Sequence, residues 1–301
     1  MRRGVYNSVT DLIGGTPSVI LRRIPSSSAA QIRLKLEHFS ATASAKDRVA
    51  WAMLRRAEAE GLLHAGSTVI EATCGNEGIA LAMLCAAKDL NLIVVLPESV
   101  SVERRALLVA YGATVELTPP LLGMGGAISR AKELLAQNPD GFMPSQYDNP
   151  DNVAAQLEAG VELVQTIRAD GGEISAFVTS IGTGGTLTGM GRALKAAFPS
   201  VKVIAVEPVD EPLSTQGLGT GHESTLLDRS LIDRTFRVHG IDAWRMRTRL
   251  GREEGILASI STGANLVAAV QIAEELGPMH RVYSICHGSG ERDFSLGDLF
   301  S

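Results

Sequence analysis

The sequence predicts an α/β fold of two lobes, with parallel-rich sheets flanked by helices. Three observations carry this. Short apolar β-type runs alternate with helical patterns, the rhythm of βαβ units. The chain has 301 residues, which suits roughly two lobes at about 150 residues each. Hydrophobic residues make up 45% of it, enough for a large core.

The elements follow in order. The start, MRRGVYNSVTDLIGG, has no apolar h-region, so no leader is expected. PSSS (25–28) reads as a turn. In SATASAKDRVAWAM, Lys46 opens a helix. The apolar run 69–72 is a strand that meets the turn TCGNEG (73–78). Ile79, Leu81, Ala82, Met83, Leu84 and Ala86 then mark a helix. Further strands are expected at 92–96, 114–117, 176–180, 201–206 and 282–286, with helices between them at 102–111, 126–136 and 187–197. GLGTGHEST (217–225) is a Gly/polar loop, either a connector or part of a site. There is no internal repeat, low-complexity tract or long charge block.

Composition excludes several classes. A net charge of −5 gives no general pull toward nucleic acid or an anionic membrane. No run approaches the roughly 18 apolar residues of a membrane span, so a cytoplasmic location is expected. Cys74, Cys85 and Cys286 form no CxxC pair, which leaves no disulfide framework or zinc site. The six histidines make no HxxxH or HExxH pattern, and no metal is expected. Around Ser289 the sequence is HGSGE, not the nucleophile elbow of a serine hydrolase.

Three stretches carry chemistry. GTGGTLTG (182–189) sits between a strand and a helix. Its glycines, threonines and free N–H groups suit a phosphate, although an ordinary glycine-rich turn would look the same. It fits neither G-x-G-x-x-G, because Leu187 holds the last position, nor a P-loop. One phosphate of a cofactor is therefore favoured over a dinucleotide. Lys46, followed by Asp47 and Arg48, is either part of a solvated charge cluster or a Schiff-base lysine; a free amine is a poor nucleophile until burial or charge alters it. TCGNEG offers N–H groups to an anion, yet carries Glu77 at its mouth.

Taken together, SVTDLIGGTP, LKLEHFSATASAKDR, EATCGNEGIALAM, LPESVSVERRALLVAYGA, FMPSQYDNPDN, SIGTGGTLTGMGR, VEPVD, EEGILASISTGAN and GSGERDFS resemble the cysteine synthase (O-acetylserine sulfhydrylase) family almost end to end. The resemblance implies the tryptophan-synthase-β-like fold and the cofactor pyridoxal 5'-phosphate. It implies a larger cofactor-phosphate lobe, 1–40 and 150–301, and a smaller mobile lobe, 41–149. It makes Lys46 the Schiff-base lysine and places Asn76 on the cofactor's 3-hydroxyl. Gly182, Thr183, Gly184, Gly185 and Thr186 would hold the phosphate, with Ser261 at the ring nitrogen. Thr73, Cys74, Gly75 and Gln146 would clamp the substrate α-carboxylate.

The implied reaction is β-replacement on an O-activated L-serine through an aminoacrylate, with L-cysteine from O-acetyl-L-serine and sulfide as the default. The alternatives are a synthase of another β-substituted alanine, using a different nucleophile or O-phosphoserine, and a catalytically weak cofactor-binding partner protein. A homodimer and docking of serine acetyltransferase are further implied. The chain departs from the family pattern in four places: TCGNEG for TSGNTG, SATAS for NPGGS, EAGVEL around Gly160 for TTGPEI, and a shortened stretch after Pro208. Glu77 has two readings. It points outward and interacts with the helix dipole, or it faces the cavity and acts on substrate choice.

Overall fold

The computed structural model describes residues 4–209 and 224–300. The GLGTG segment and the shortened stretch after Pro208 lie outside the described residues. Strands β1 (Ser18–Ile20) and β2 (Gln31–Leu36) come first, followed by helix α1 (Lys46–Ala59). Then β3 (Thr68–Ala72), α2 (Asn76–Lys88), β4 (Asn91–Pro97), α3 (Val102–Ala110), β5 (Thr114–Thr118) and α4 (Gly123–Gln137) alternate. α5 (Pro150–Ala169), β6 (Ala176–Ser180), α6 (Gly185–Ala197), β7 (Lys202–Pro208) and β8 (Arg234–Val238) follow. α7 (Gly240–Glu254), α8 (Ile260–Leu276), β9 (Arg281–Cys286) and the 3-10 segment Glu291–Phe300 end the chain.

Two sheets result. The larger runs β1-β2-β9-β6-β7-β8 and the smaller β3-β4-β5. Every pairing is parallel except that of β1 with β2. Parallel strands are covered on both faces and read as apolar runs, which is why β3, β4, β6, β7 and β9 were visible from sequence. Burial agrees: all five residues of β6 are buried. Apolar side chains of the large sheet pack against α7 and α8, and those of the small sheet pack against α1 and α2. Among the described residues no helix is long and apolar enough to cross a membrane.

Three strands depart from the sequence expectation. β1 is short, and β2 alternates apolar residues with Arg33 and Lys35, as a solvated strand would. Lys35 is nevertheless fully buried. Its Nζ lies 2.6 Å from Glu162 Oε1 and 3.5 Å from Glu37 Oε1. Arg48 Nε donates to Glu37 Oε2 at 2.8 Å, and its Nη2 donates to Glu162 Oε2 at 2.9 Å. These two ammonium and guanidinium groups hold Glu162 down to about 2 against its desolvation. The EAGVEL segment thus supplies a structural carboxylate. β8 is the charged edge strand RTFRV and gives no apolar run. β7 begins one residue later than expected, at Lys202, and α6 begins two residues earlier, at Gly185.

Candidate active site

The carboxyl ends of parallel strands collect loops where ligands bind in open α/β sheets. Here Thr73 follows β3, Ile181 and Gly182 follow β6, and His287 follows β9. Residues from all three turns line one cleft with about 840 Å³ of free space, part of it open to solvent.

Lys46 is the first residue of α1. Asp47, fully buried, accepts the Thr42 N–H at 2.7 Å and so fixes the loop before the helix. In that loop Ala43 has φ +55°, a left-handed conformation that costs a non-glycine residue roughly 1 kcal/mol. The resemblance expects glycine in this segment. The charge-cluster reading of Lys46 fails, because Asp47 and Arg48 are buried and the Lys46 side chain borders the cleft. Its Nζ donates to Gln146 Oε1 at 3.1 Å and lies 3.7 Å from Glu77 Oε2.

The turn before α2 brings Thr73, Cys74, Gly75, Asn76 and Glu77 to the same wall. Gly75 is the N-cap of α2 with no side-chain cap, so N–H groups stay open to an anion. Asn76 Oδ1 accepts from Arg292 Nη1 at 2.7 Å. The Cys74 carbonyl accepts from Arg104 Nη1 at 3.1 Å. Glu77 corrects the outward reading. It is 1% exposed, and neither carboxylate oxygen has a hydrogen-bond partner. Burial raises it to about 7, against the pull of Lys46.

Across the cleft lie Gly182, Thr183, Gly184 and Thr186. Gly184 has φ +79° and caps α6 without a side-chain bond. A Cβ there would stand 2.7 Å from Leu227 Cβ, so only glycine fits. Thr183 Oγ1 accepts from Asn152 Nδ2 at 3.0 Å. Gly185 is in the turn but does not border the cleft. A Cβ on it would come 2.1 Å from Asn152 Oδ1, so it packs inward. Ser261 borders the cleft from the first turn of α8, its Oγ 2.9 Å from Ser259 Oγ.

Sequence reasoning missed several cleft residues. Arg104, Tyr147, Gln156, Ser180 and His287 also line it. Burial and the nearby Lys46 lower His287 to about 4, so its ring is neutral. Its place after the last residue of a parallel strand was the available signal; Arg104, inside a helical pattern, gave none. Behind the wall sits Glu71, 2% exposed. Its Oε2 accepts the Ser145 N–H at 2.8 Å and its Oε1 the Gln146 N–H at 3.4 Å, which holds Gln146 toward Lys46.

These residues fit pyridoxal 5'-phosphate. A lysine amine for its carbonyl, an uncapped glycine-rich helix start for its phosphate, and Asn76 and Ser261 for the ring substituents share one cleft. Residues 9–288 match the family described as pyridoxal-phosphate dependent enzyme. A cysteine synthase of Staphylococcus aureus is 42% identical over 305 residues, covering 98% of this chain and 97% of the relative. The crystal structure of an O-ureido-L-serine synthase superposes with a TM-score of 0.92 at 38% identity, over 97% of this chain and 94% of the other. An O-acetylserine dependent cystathionine beta-synthase from Helicobacter pylori gives 0.90 at 32% identity, over 97% and 98%.

Proposed function

The chain belongs to the pyridoxal-phosphate dependent enzymes, and from that premise we propose that it performs β-replacement on an O-activated L-serine. The observation that carries this is the single cleft shared by Lys46, the 73–77 turn and the 182–186 turn. When bound, pyridoxal 5'-phosphate supplies an electron sink for charge developing at the substrate Cα. The protein does the rest. N–H groups of the Thr73–Asn76 turn and Gln146 hold the α-carboxylate. Lys46 carries the cofactor, removes the Cα proton and later returns it. The leaving group departs from Cβ and a nucleophile takes its place. The segment 41–149 acts as the mobile lobe, closing to exclude water.

Relatives named cysteine synthase and O-acetyl serine sulfhydrylase support O-acetyl-L-serine and sulfide as the reference substrates, with L-cysteine as product. One observation favours the second reading, a synthase of another β-substituted alanine: Glu77 stands in the cleft wall next to Cys74. Lys46 facing the cleft supports an enzyme over a silent binding protein. Family expectation further supports a cytoplasmic homodimer and docking of serine acetyltransferase.

The test is acetate release from O-acetyl-L-serine by the cofactor-loaded protein, with the amino-acid product read by mass. Lys46→Ala is expected to abolish both turnover and the borohydride-stable link between protein and cofactor. A reduced cofactor–peptide adduct surviving in that variant would move the role to another lysine.

A further inference from the structure

Resting on the β-replacement reading, we propose that the nucleophile used here is an amine, ammonia or a primary amine, and that Glu77 recognises it and accepts the proton it sheds.

A buried carboxylate needs donors. Both oxygens of Glu77 are sealed in the wall of the cleft with no hydrogen bond. The Lys46 ammonium, 3.7 Å away, is required at the cofactor carbonyl and at Cα. When it turns to that work, Glu77 is left for a ligand that brings N–H groups.

The charges around Glu77 point the same way. From α1 it faces Lys46 and Asp47; Glu71 on β3 is raised to about 8 and keeps its proton at neutral pH. The carboxyl groups of Glu77 and Asp47 stand against one amine. Arg104 borders the cleft from α3, but its Nη2 donates to Asp293 Oδ1 at 2.8 Å, so its charge is matched. His287 is kept neutral. An anion such as hydrosulfide entering beside Glu77 meets like charge, whereas an ammonium or amine meets an acceptor.

Proton counting separates the two nucleophiles. Hydrosulfide adds to Cβ and leaves a neutral thiol, so no base is required. A neutral amine forms its C–N bond with the nitrogen lone pair, which leaves the nitrogen positively charged. That nitrogen must lose a proton. Glu77 takes it and becomes a carboxylic acid. The leaving group has already departed with the Cβ–O electron pair as a carboxylate. Passing the proton to that carboxylate or to solvent restores Glu77. The sum is amine plus O-acetylserine giving a 2,3-diaminopropionate and acetic acid. A carboxyl group titrating near neutrality, as burial makes Glu77, takes up and releases this proton at the working pH.

The experiment offers the holoenzyme O-acetyl-L-serine with ammonium chloride, methylamine or sodium sulfide, singly and in competition. Acetate and the amino-acid products are measured across neutral pH. In the parent, the amino product is expected to dominate the competition. In Glu77→Gln, the amine-to-sulfide ratio of kcat/KM is expected to fall at least about tenfold, and the pH limb due to Glu77 should vanish from the amine profile. Glu77→Thr should swing further toward sulfide. Infrared difference spectra of the cofactor-free protein should show the Glu77 carboxyl band respond to methylammonium and be silent in Glu77→Gln. Cysteine as the sole parent product, or an unchanged ratio in variants that retain cofactor, overturns the inference alone. A parent that releases no acetate with any nucleophile overturns the β-replacement reading beneath it.

Discussion

Glu71 is a positioning residue with an electrostatic cost. Burial, added to by the charge of Glu77, raises it from an ordinary 4.5 to about 8. The folded chain therefore holds a proton that the unfolded chain gives up from about pH 4.5 upward. Where the folded state binds more protons, stability falls as pH rises, so the loss accumulates between about pH 4.5 and 8. Glu71→Gln removes that titration. The fall should flatten by on the order of 1–3 kcal/mol across the window. Urea unfolding of the cofactor-free protein at acid, neutral and mildly alkaline pH reads it; parallel profiles for parent and variant would contradict it. Glu71 was hidden in sequence because it sits inside the strand run 69–72, where neighbouring apolar residues made it look incidental. Lys46, Asn76 and the 182–186 turn could be singled out because ordered motifs framed them, and all of these but Gly185 border one cleft.

At the scale of elements, the proposed phosphate cradle depends on how α6 begins. Gly184 holds φ +79° against the backbone of Leu227, and a Cβ added to it would lie 2.9 Å from Leu227 Cα. Gly184→Val must push Leu227 away and leave the left-handed region. Cofactor affinity should drop at least about tenfold, equal to ~1.4 kcal/mol, while far-ultraviolet dichroism stays close to that of the parent. Titration of the cofactor-free variant by absorbance checks this, and parental affinity would exclude a phosphate cradle here. The same scale explains which elements sequence could and could not reveal. Central strands such as β6 announce themselves because both faces are apolar. β2 does not, because Lys35 is neutralised by Glu37 and Glu162 and Arg33 by Asp170, and Glu162 and Asp170 lie far along the chain. Such pairings belong to the tertiary structure and leave no local period.

At the scale of the whole molecule, the segment after β9 ties the 73–77 turn to the large sheet. Arg104 and Asp293 form an ion pair at 2.8 Å with side chains 4% and 1% exposed. Arg292 reaches Asn76, and Ser101 Oγ donates to the Arg292 carbonyl at 2.8 Å. Asp293→Ala takes the carboxylate from a buried guanidinium, a change that typically costs about 3–5 kcal/mol. The denaturant midpoint should fall accordingly, and a loss below about 1 kcal/mol would mean that water or another group compensates.

The register of β9 has a further consequence during synthesis. β9 lies between β2 and β6 in the large sheet, pairing Gln31 with Arg281 and Ala176 with Val282. A ribosome adding about 5–20 residues per second needs on the order of 10–50 s to travel from the first of these strands to the last. Throughout that interval β1 and β2 have no neighbour to join the rest of the sheet. The nascent chain must keep the open edges of β2 and β6 from meeting those of other chains until β9 arrives to fill the gap between them.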